Sequence, residues 1–551
     1  MLKHLRYLDL CDNYNLKKLS NSITELHNLQ TLILCSCYNL EELPEDMQKL
    51  VHLRHLDIEK CYNLNYMPRG LGKLTNLQTL SKFVIHWDPL SNDSGGLKEL
   101  NGLTNLRGKL EITNLRDGKD VASECKAANL KEKKHLHALT LQWSLGGVND
   151  SDVDVDAELL LEDLQPHPNL RELRFESNHM SSRLPSWLLS LTNLVRFELC
   201  HCTNCQYMPP LSQLPSLKYL FLENMQAMEY ISVDNEFSSS SSAPIPFFPS
   251  LKEIGFLQCF NLKGWWRRRH SSVEANSDRD NSVEITTETS MTAHCLLPSF
   301  PCLSTLKIID CPMLTSIPMF PHLEKKLFLH ASSKLLQQTM MMNGAAPQSP
   351  TPTTIGSSSF TPLSKLKFIE LVSIADLETL PEEWLKNLTS LESLRISDCD
   401  RLKSLFLGIR HLTTLQDLNI ENCLELELAN DEDGMQWQSL KSLLSLNFSS
   451  LPKLVTLPLG LQHVTTLQKL TISSCKNLTA IPDWIRNCTS LQVFEISFCS
   501  SLTSLPEGMR SLTSLQSLTI FYCPVLLQRC EKEVGEDWPN IAHIPHLVLH
   551  D

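Results

Sequence analysis

Apolar residues recur along this chain in one frame that restarts many times. From Leu5, the stretch LRYLDLCDNYNLKKLSNSITELHN has Leu at its first, fourth and sixth positions. The frame opens again at Leu29, Leu53 and Leu77, 24 residues apart each time. It returns at Leu391 and Leu415, and at Leu443, Leu467, Leu491 and Leu515. The fourth and sixth positions alternate with the period of a strand. Leu394 and Ile396 therefore face a core, and Ser393, Arg395 and Ser397 face the other way. Many units carry a mid-unit Pro (Pro44, Pro381, Pro458, Pro482, Pro506), which suits a side without a ladder, because Pro has no N–H to donate. A loosely helical stretch follows, as at Glu382-Glu383-Trp384-Leu385.

The unit L-x-x-L-x-L-x-x-C-x-x-L-x-x-L-P predicts an α/β repeat fold, the leucine-rich-repeat solenoid. In this horseshoe, short parallel strands line the concave face and irregular or short helical segments line the convex face. No unit buries its apolar face alone, so stacked neighbours supply the core. Less regular strand cores fall at Leu110–Ile112, Leu139–Leu141, Leu173–Phe175, Phe197–Leu199, Leu220–Leu222, Ile254–Phe256, Leu306–Ile308 and Ile369–Leu371. With the regular units they make about 19 repeats. The acidic stretch 146–158, the serine run 238–242, and residues 267–295 and 331–361 read as insertions, the last two as loops. The expected organisation is an N-terminal sub-array with irregular insertions over 1–340, a low-complexity loop over 341–361, and a regular sub-array with a C-terminal cap over 362–551. A single horseshoe with a long loop fits equally well.

The 551 residues carry a formal net charge of −13, which argues against nucleic acid as the main partner. Trp265-Trp266-Arg267-Arg268-Arg269 is a local basic run, better read as Trp packing at a repeat edge. Of 19 cysteines, ten stand at the ninth position of a unit: Cys37, Cys61, Cys202, Cys259, Cys311, Cys399, Cys423, Cys475, Cys499 and Cys523. There a small buried thiol turns the chain out of the strand, so these cysteines are expected to be structural and reduced. A metal site at Cys200-His201-Cys202 with Cys205 is the alternative. Cys202 is already accounted for by the repeat, and no second ligand cluster has zinc-like spacing. No metal or cofactor is expected.

Several stretches go beyond the generic repeat: LGKLTNLQTLSKFVI (71–85), GGLKELNGLTNLRGKLEITNL (95–115), LQPHPNLREL (164–173), NCQYMPPLSQLPSLKYL (204–220), FFPSLKEI with NLKGWWR (247–267), and EDWPNIAHIPHLVL (536–549). Through them the chain resembles the leucine-rich-repeat region of plant intracellular coiled-coil nucleotide-binding leucine-rich-repeat disease-resistance proteins. The resemblance implies a cytoplasmic module with access to the nucleus or membrane periphery. It would recognise a pathogen effector or a guarded host protein and hold a nucleotide switch inactive. The switch needs G-x-x-x-x-G-K-[ST]. Gly72-Lys73, Gly108-Lys109 and Gly118-Lys119 are followed by Leu, Leu and Asp, so no such loop is present. The first full repeat starts at Leu5 without a polar cap, from which an N-terminally truncated receptor is expected. The acidic break over Glu531–Asp537 reads as the C-terminal cap.

Binding residues are expected at the third, fifth, seventh and eighth positions of the units. They are Tyr219, Phe221, Arg395, Asp398, Asn419, Glu421, Lys469, Glu495, Phe498, Phe521 and Tyr522. Phe498, Phe521 and Tyr522 fall in adjacent repeats and suit an interface hot spot. The competing account is that they pack on one another or on the cap. No nucleophile elbow, H-E-x-x-H or kinase loop is present, so an enzyme is not expected. A stand-alone signalling scaffold or decoy is the alternative to the receptor module. An extracellular receptor ranks lower, because the text after the strand reads L-x-x-L-P rather than L-x-G-x-I-P.

Overall fold

The computed structural model describes residues 4–86, 94–115, 119–143, 161–177, 183–233, 248–267, 300–315, 323–341, 363–428 and 437–550. The insertion 146–158, the serine run, most of 267–295 and all but the first residue of the expected loop 341–361 lie outside these residues. The chain divides into two compact units, residues 1–298 and 299–551.

In the first unit, β1 (Tyr7–Asp9), β2 (Thr31–Ile33), β3 (His55–Asp57) and β4 (Thr79–Leu80) form a parallel sheet in chain order. A second parallel run joins β5 (Lys82–Val84), β6 (Arg107–Leu115), β7 (His135–Trp143), β8 (Glu172–Glu176), β9 (Arg196–Cys200) and β10 (Tyr219–Glu223). Two short strands that the sequence pattern did not reveal, β11 (Tyr230–Val233) and β13 (Gly264–Arg267), pair with each other. Between them β12 (Glu253–Leu257) pairs with β10.

In the second unit, β14 (Thr305–Ile309), β15 (Lys326–His330), β16 (Phe368–Val372), β17 (Ser393–Ser397), β18 (Asp417–Glu421), β19 (Ser445–Ser449), β20 (Lys469–Ser473), β21 (Val493–Ser497), β22 (Ser517–Phe521) and β23 (His546–His550) pair in parallel, each with the next. This is the leucine-rich-repeat solenoid that the pattern predicts.

The register aligns equivalent positions, so fourth-position residues form one buried row: Leu394, Leu418, Leu446, Leu470, Phe494, Leu518. The third, fifth and seventh positions point out of the sheet, and a one-residue slip would invert every strand. All ten ninth-position cysteines are buried free thiols. Burial pushes Cys399 and Cys475 up to about 11 and Cys423 up to about 12. The Cys399 thiol donates to the Ser397 carbonyl at 3.4 Å, and the Cys475 thiol to that of Ser473 at 3.4 Å, satisfying groups in the turn out of the strand. A disulfide joins Cys11 to Cys35, seventh-position residues 24 apart in sequence.

Two features depart from the sequence reading. Residues Ser333–Met341, expected within a loop, form a helix that buries Leu335, Leu336 and Thr339. The acidic segment expected as the cap is followed by β23, so the sheet continues one strand past it. Asp537 in that segment is buried, paired with Arg529 at 2.9 Å, and accepts the Leu505 N–H at 2.8 Å. In the first unit, Lys133 is only 2% exposed. Its ammonium donates to the Leu100 and Leu103 carbonyls at 2.7 and 3.2 Å, and burial lowers it to about 8.

Candidate functional site

The eighth position of each unit controls the outward face. After the strand the backbone turns with a left-handed residue there: Asp12, Ser36, Lys60, Asp398, Asn422, Ser450, Ser474, Phe498 and Tyr522 all have φ between 49° and 62°. Asp and Asn tolerate this conformation, and a bulky aromatic residue rarely adopts it. The turn is fixed by the sheet, since Phe498 N–H donates to the Phe521 carbonyl at 2.9 Å and Tyr522 N–H to that of His550 at 3.1 Å. The conformation lifts each eighth-position side chain onto the rim of the strand face.

There Phe498, Phe521 and Tyr522 meet, as their adjacent repeats imply. Phe498 and Tyr522 stack at 5.0 Å, Phe521 stands edge-on to Tyr522 at 4.4 Å, and His550 lies 5.6 Å from Phe521. The rings do pack on one another, yet Phe498 stays 47% and Tyr522 50% exposed. Exposed aromatics in a rigid frame offer contact area at low entropic cost.

The remaining predicted residues form smaller groups. Arg395 lies 5.4 Å above the Phe368 ring and Asp398 accepts from Asn422 at 2.7 Å. Asn419 accepts from Asn447 at 2.8 Å. Lys469 pairs with Glu495 at 3.1 Å, and Glu495 also accepts the Thr471 hydroxyl at 3.0 Å. Glu421 ends β18, exposed. Tyr219 and Phe221 lie in the first unit, under the Arg196 guanidinium at 4.6 and 5.5 Å. Arg196 in turn pairs with Glu198 at 3.1 Å, which Arg174 reaches at 2.7 Å. Sequence reasoning missed a cationic aromatic group on β14 to β17. In it Phe328 and Phe368 lie 5.2 Å apart, and Lys326 is 5.3 Å from the Phe368 ring. Phe328 and Lys326, which complete it, lie in β15, a strand the pattern did not locate.

Around the tempting cysteine cluster, Cys202 and Cys205 donate to backbone carbonyls, and His201 faces Asn224 at 3.0 Å. Among the described residues no group of three or more His, Cys, Asp or Glu is placed to hold a metal ion. Among them, too, no helix is long and apolar enough to cross a membrane.

Repeat, register and buried cysteine turn together define a leucine-rich-repeat protein. Residues 97–225 match the family model described as R13L1/DRL21 leucine-rich repeats, and residues 1–90 match the Zer-1-like leucine-rich repeats. The curated relatives that this chain matches are plant disease-resistance proteins, and the chain is similar to a leucine-rich-repeat region of such proteins. It is 30% identical over 389 residues to disease resistance RPP13-like protein 1 of Arabidopsis thaliana, covering 66% of this chain and 34% of that one. It is 31% identical over 332 residues to disease resistance protein RGA1 of Solanum bulbocastanum, covering 60% and 27%. The chain thus spans about a third or less of the length of these relatives. Among solved structures, a leucine-rich-repeat protein of Leptospira interrogans aligns over 98% of this chain and 95% of its own, at 17% identity and a TM-score of 0.38.

Proposed function

We propose that this chain is the non-catalytic recognition module of a plant innate-immunity receptor, and that the Phe498–Phe521–Tyr522 patch contacts a pathogen effector or a guarded host protein. The observation that carries the reading is the placement of Phe498 and Tyr522 at left-handed positions. In the same frame of the second unit the position is held by the small polar residues Asp398, Asn422, Ser450 and Ser474, of which Asp and Asn adopt this conformation most readily. Folding does not call for aromatics there, and strained residues held by a rigid frame are a mark of functional surfaces. In a full-length receptor, the same repeats would restrain a nucleotide-binding switch in the cytoplasm. A free-standing scaffold or decoy would use the same patch without the switch.

The test is co-immunoprecipitation of the chain with individually co-expressed pathogen effectors and host proteins in leaf tissue. Each pair is repeated with F498S/F521S/Y522S. The triple variant is expected to lose at least about tenfold in affinity for a bound protein, with an unchanged thermal melt. Undiminished binding by the folded triple variant would remove the patch from the interface. A partner that depends on the patch, with no effect of the chain on any nucleotide-binding domain, would favour the scaffold.

A further inference from the structure

The first three repeats carry a second aromatic surface at a different position of the unit. Tyr14, Tyr38 and Tyr62 all stand at position ten, following Asn13, Cys37 and Cys61. Successive rings lie 5.2 and 5.7 Å apart, with interplanar angles of 20° and 23°. They are 51%, 39% and 68% exposed. Each tyrosine thus keeps surface open to solvent. The fold does not require them: the equivalent residues of the regular second-unit repeats include Asp400, Leu424, Lys476 and Ser500.

The surroundings are acidic. Positions three, five, seven and eight of these repeats hold Asp9, Asp12, Asp57 and Glu59 against one ammonium, Lys60. Asp12 lies 3.5 Å from the Tyr14 hydroxyl, and its charge raises the Tyr14 phenol above its ordinary value. Asp9 accepts the hydroxyl of exposed Tyr7 at 3.2 Å. Among the described residues none of these four carboxylates is ion-paired, whereas Glu198 on the same unit's strand face is held by two arginines. His55, at position three of the third repeat, is lowered by burial and by nearby Arg107 and Arg54, so it adds no counter-charge at neutral pH.

We propose that the Tyr14–Tyr38–Tyr62 ladder is a docking surface for an extended, arginine-bearing segment of a partner protein. A guanidinium stacks flat on a tyrosine face while its N–H fork reaches a carboxylate, a pairing that an ammonium does not reproduce. In an extended segment, alternate residues are about 6.6 Å apart on one side, close to the ring spacing of the ladder. Arginine at every second residue would place one guanidinium per ring. The acidic rim disfavours a nucleic-acid strand, whose phosphates it would repel. This surface is separate from the second-unit patch and stands or falls independently of it.

The test is fluorescence anisotropy of the full chain with a labelled peptide carrying three arginines separated by single alanines. A lysine version and a labelled single-stranded RNA serve as comparisons. The arginine peptide is expected to bind at least about fivefold tighter than the lysine peptide and to weaken with salt. Y14S/Y38S/Y62S should cost about tenfold or more. Y14L/Y38L/Y62L keeps apolar bulk without a ring face, and it should abolish the arginine preference. D9N/D12N should cost about threefold. Equal affinity for the arginine and lysine peptides overturns the proposal, as does undiminished binding by the leucine variant. Tighter binding of the RNA would reassign the ladder to base stacking.

Discussion

The two exposed aromatic surfaces, one in each unit, arise from the same 24-residue period by different routes. At position ten the backbone is unstrained, so repeating Tyr three times produces a regular stack at no conformational cost. At position eight the backbone must be left-handed, so Phe498 and Tyr522 sit where Asp or Asn is the easier choice. Their electrostatic settings differ as well. The repeats of the tyrosine ladder carry Asp9, Asp12, Asp57 and Glu59, in no ion pair among the described residues, with Asp12 beside Tyr14. The late patch adjoins neutral Ser473, Ser474 and Ser497 and the imidazole of His550. As binding surfaces, the proposed ladder would select by charge and respond to salt, whereas the proposed late patch would select by shape and apolar contact. A shared repeat fixes where side chains can stand, and substitution at single positions decides what each end can hold.

The contrast rests first on the register of the second unit. Phe494 is fully buried in the fourth-position row, between Leu470 and Leu518. Phe494→Asp places an unpaired charge there and should cost more than about 4 kcal/mol. Hydrogen exchange across 467–523 should rise to that of unfolded chain, and the late patch should disappear. Protection equal to wild type would show that the frame is misassigned and that Phe498 and Tyr522 do not share a face.

A smaller effect would mark the first unit. The unfolded chain keeps the Lys133 proton up to about pH 10.5, whereas the folded chain releases it near 8. Over that window the unfolded state binds more protons, so stability rises with pH, and below it the cost of the buried charge is present in full. Between pH 7.5 and 10, wild type should gain about 2 kcal/mol relative to Lys133→Met, read from urea unfolding followed in the first unit. Parallel pH profiles for the two proteins would mean that the ammonium is solvated in the folded state.

The smallest effect sharpens the strain argument. F498N/Y522N replaces two strained aromatics with a residue at ease in the left-handed region, gaining about 1 kcal/mol or more per site. It also loses a ring stack worth about 0.5–1.5 kcal/mol. The melting temperature should therefore hold or rise slightly while partner binding falls. A clear drop in the melt would make the rings a structural clasp over β22 and β23.

The strands that follow the L-x-x-L-x-L frame were legible because a two-residue period with one buried face has only one workable register. That is why Leu394, Leu446 and Phe494 were placed inward from the residue string alone, and why Phe498, Phe521 and Tyr522 could be grouped by counting. β15 escaped because Lys326–His330 is preceded by an off-frame, Pro-rich stretch. The helix Ser333–Met341 escaped because its composition resembles a loop, and only its docked Leu335 and Leu336 make it helical. The tyrosine ladder was countable in principle at position ten. Nothing in the local text says that rings 24 residues apart stack.

By itself the sequence determined the repeat, the inward and outward faces, the buried cysteine turns and the kinship with plant resistance proteins, because each follows from period and residue type. Only the tertiary structure decided which side chains touch. It set Arg196 over Tyr219 and Phe221, left Lys133 without a carboxylate partner among the described residues, and joined Cys11 to Cys35. The physical reason is that a solenoid neighbour is a whole repeat away along the chain yet only about 4.8 Å away in space. Charge, stacking and strain are therefore settled between repeats, where no local pattern can register them.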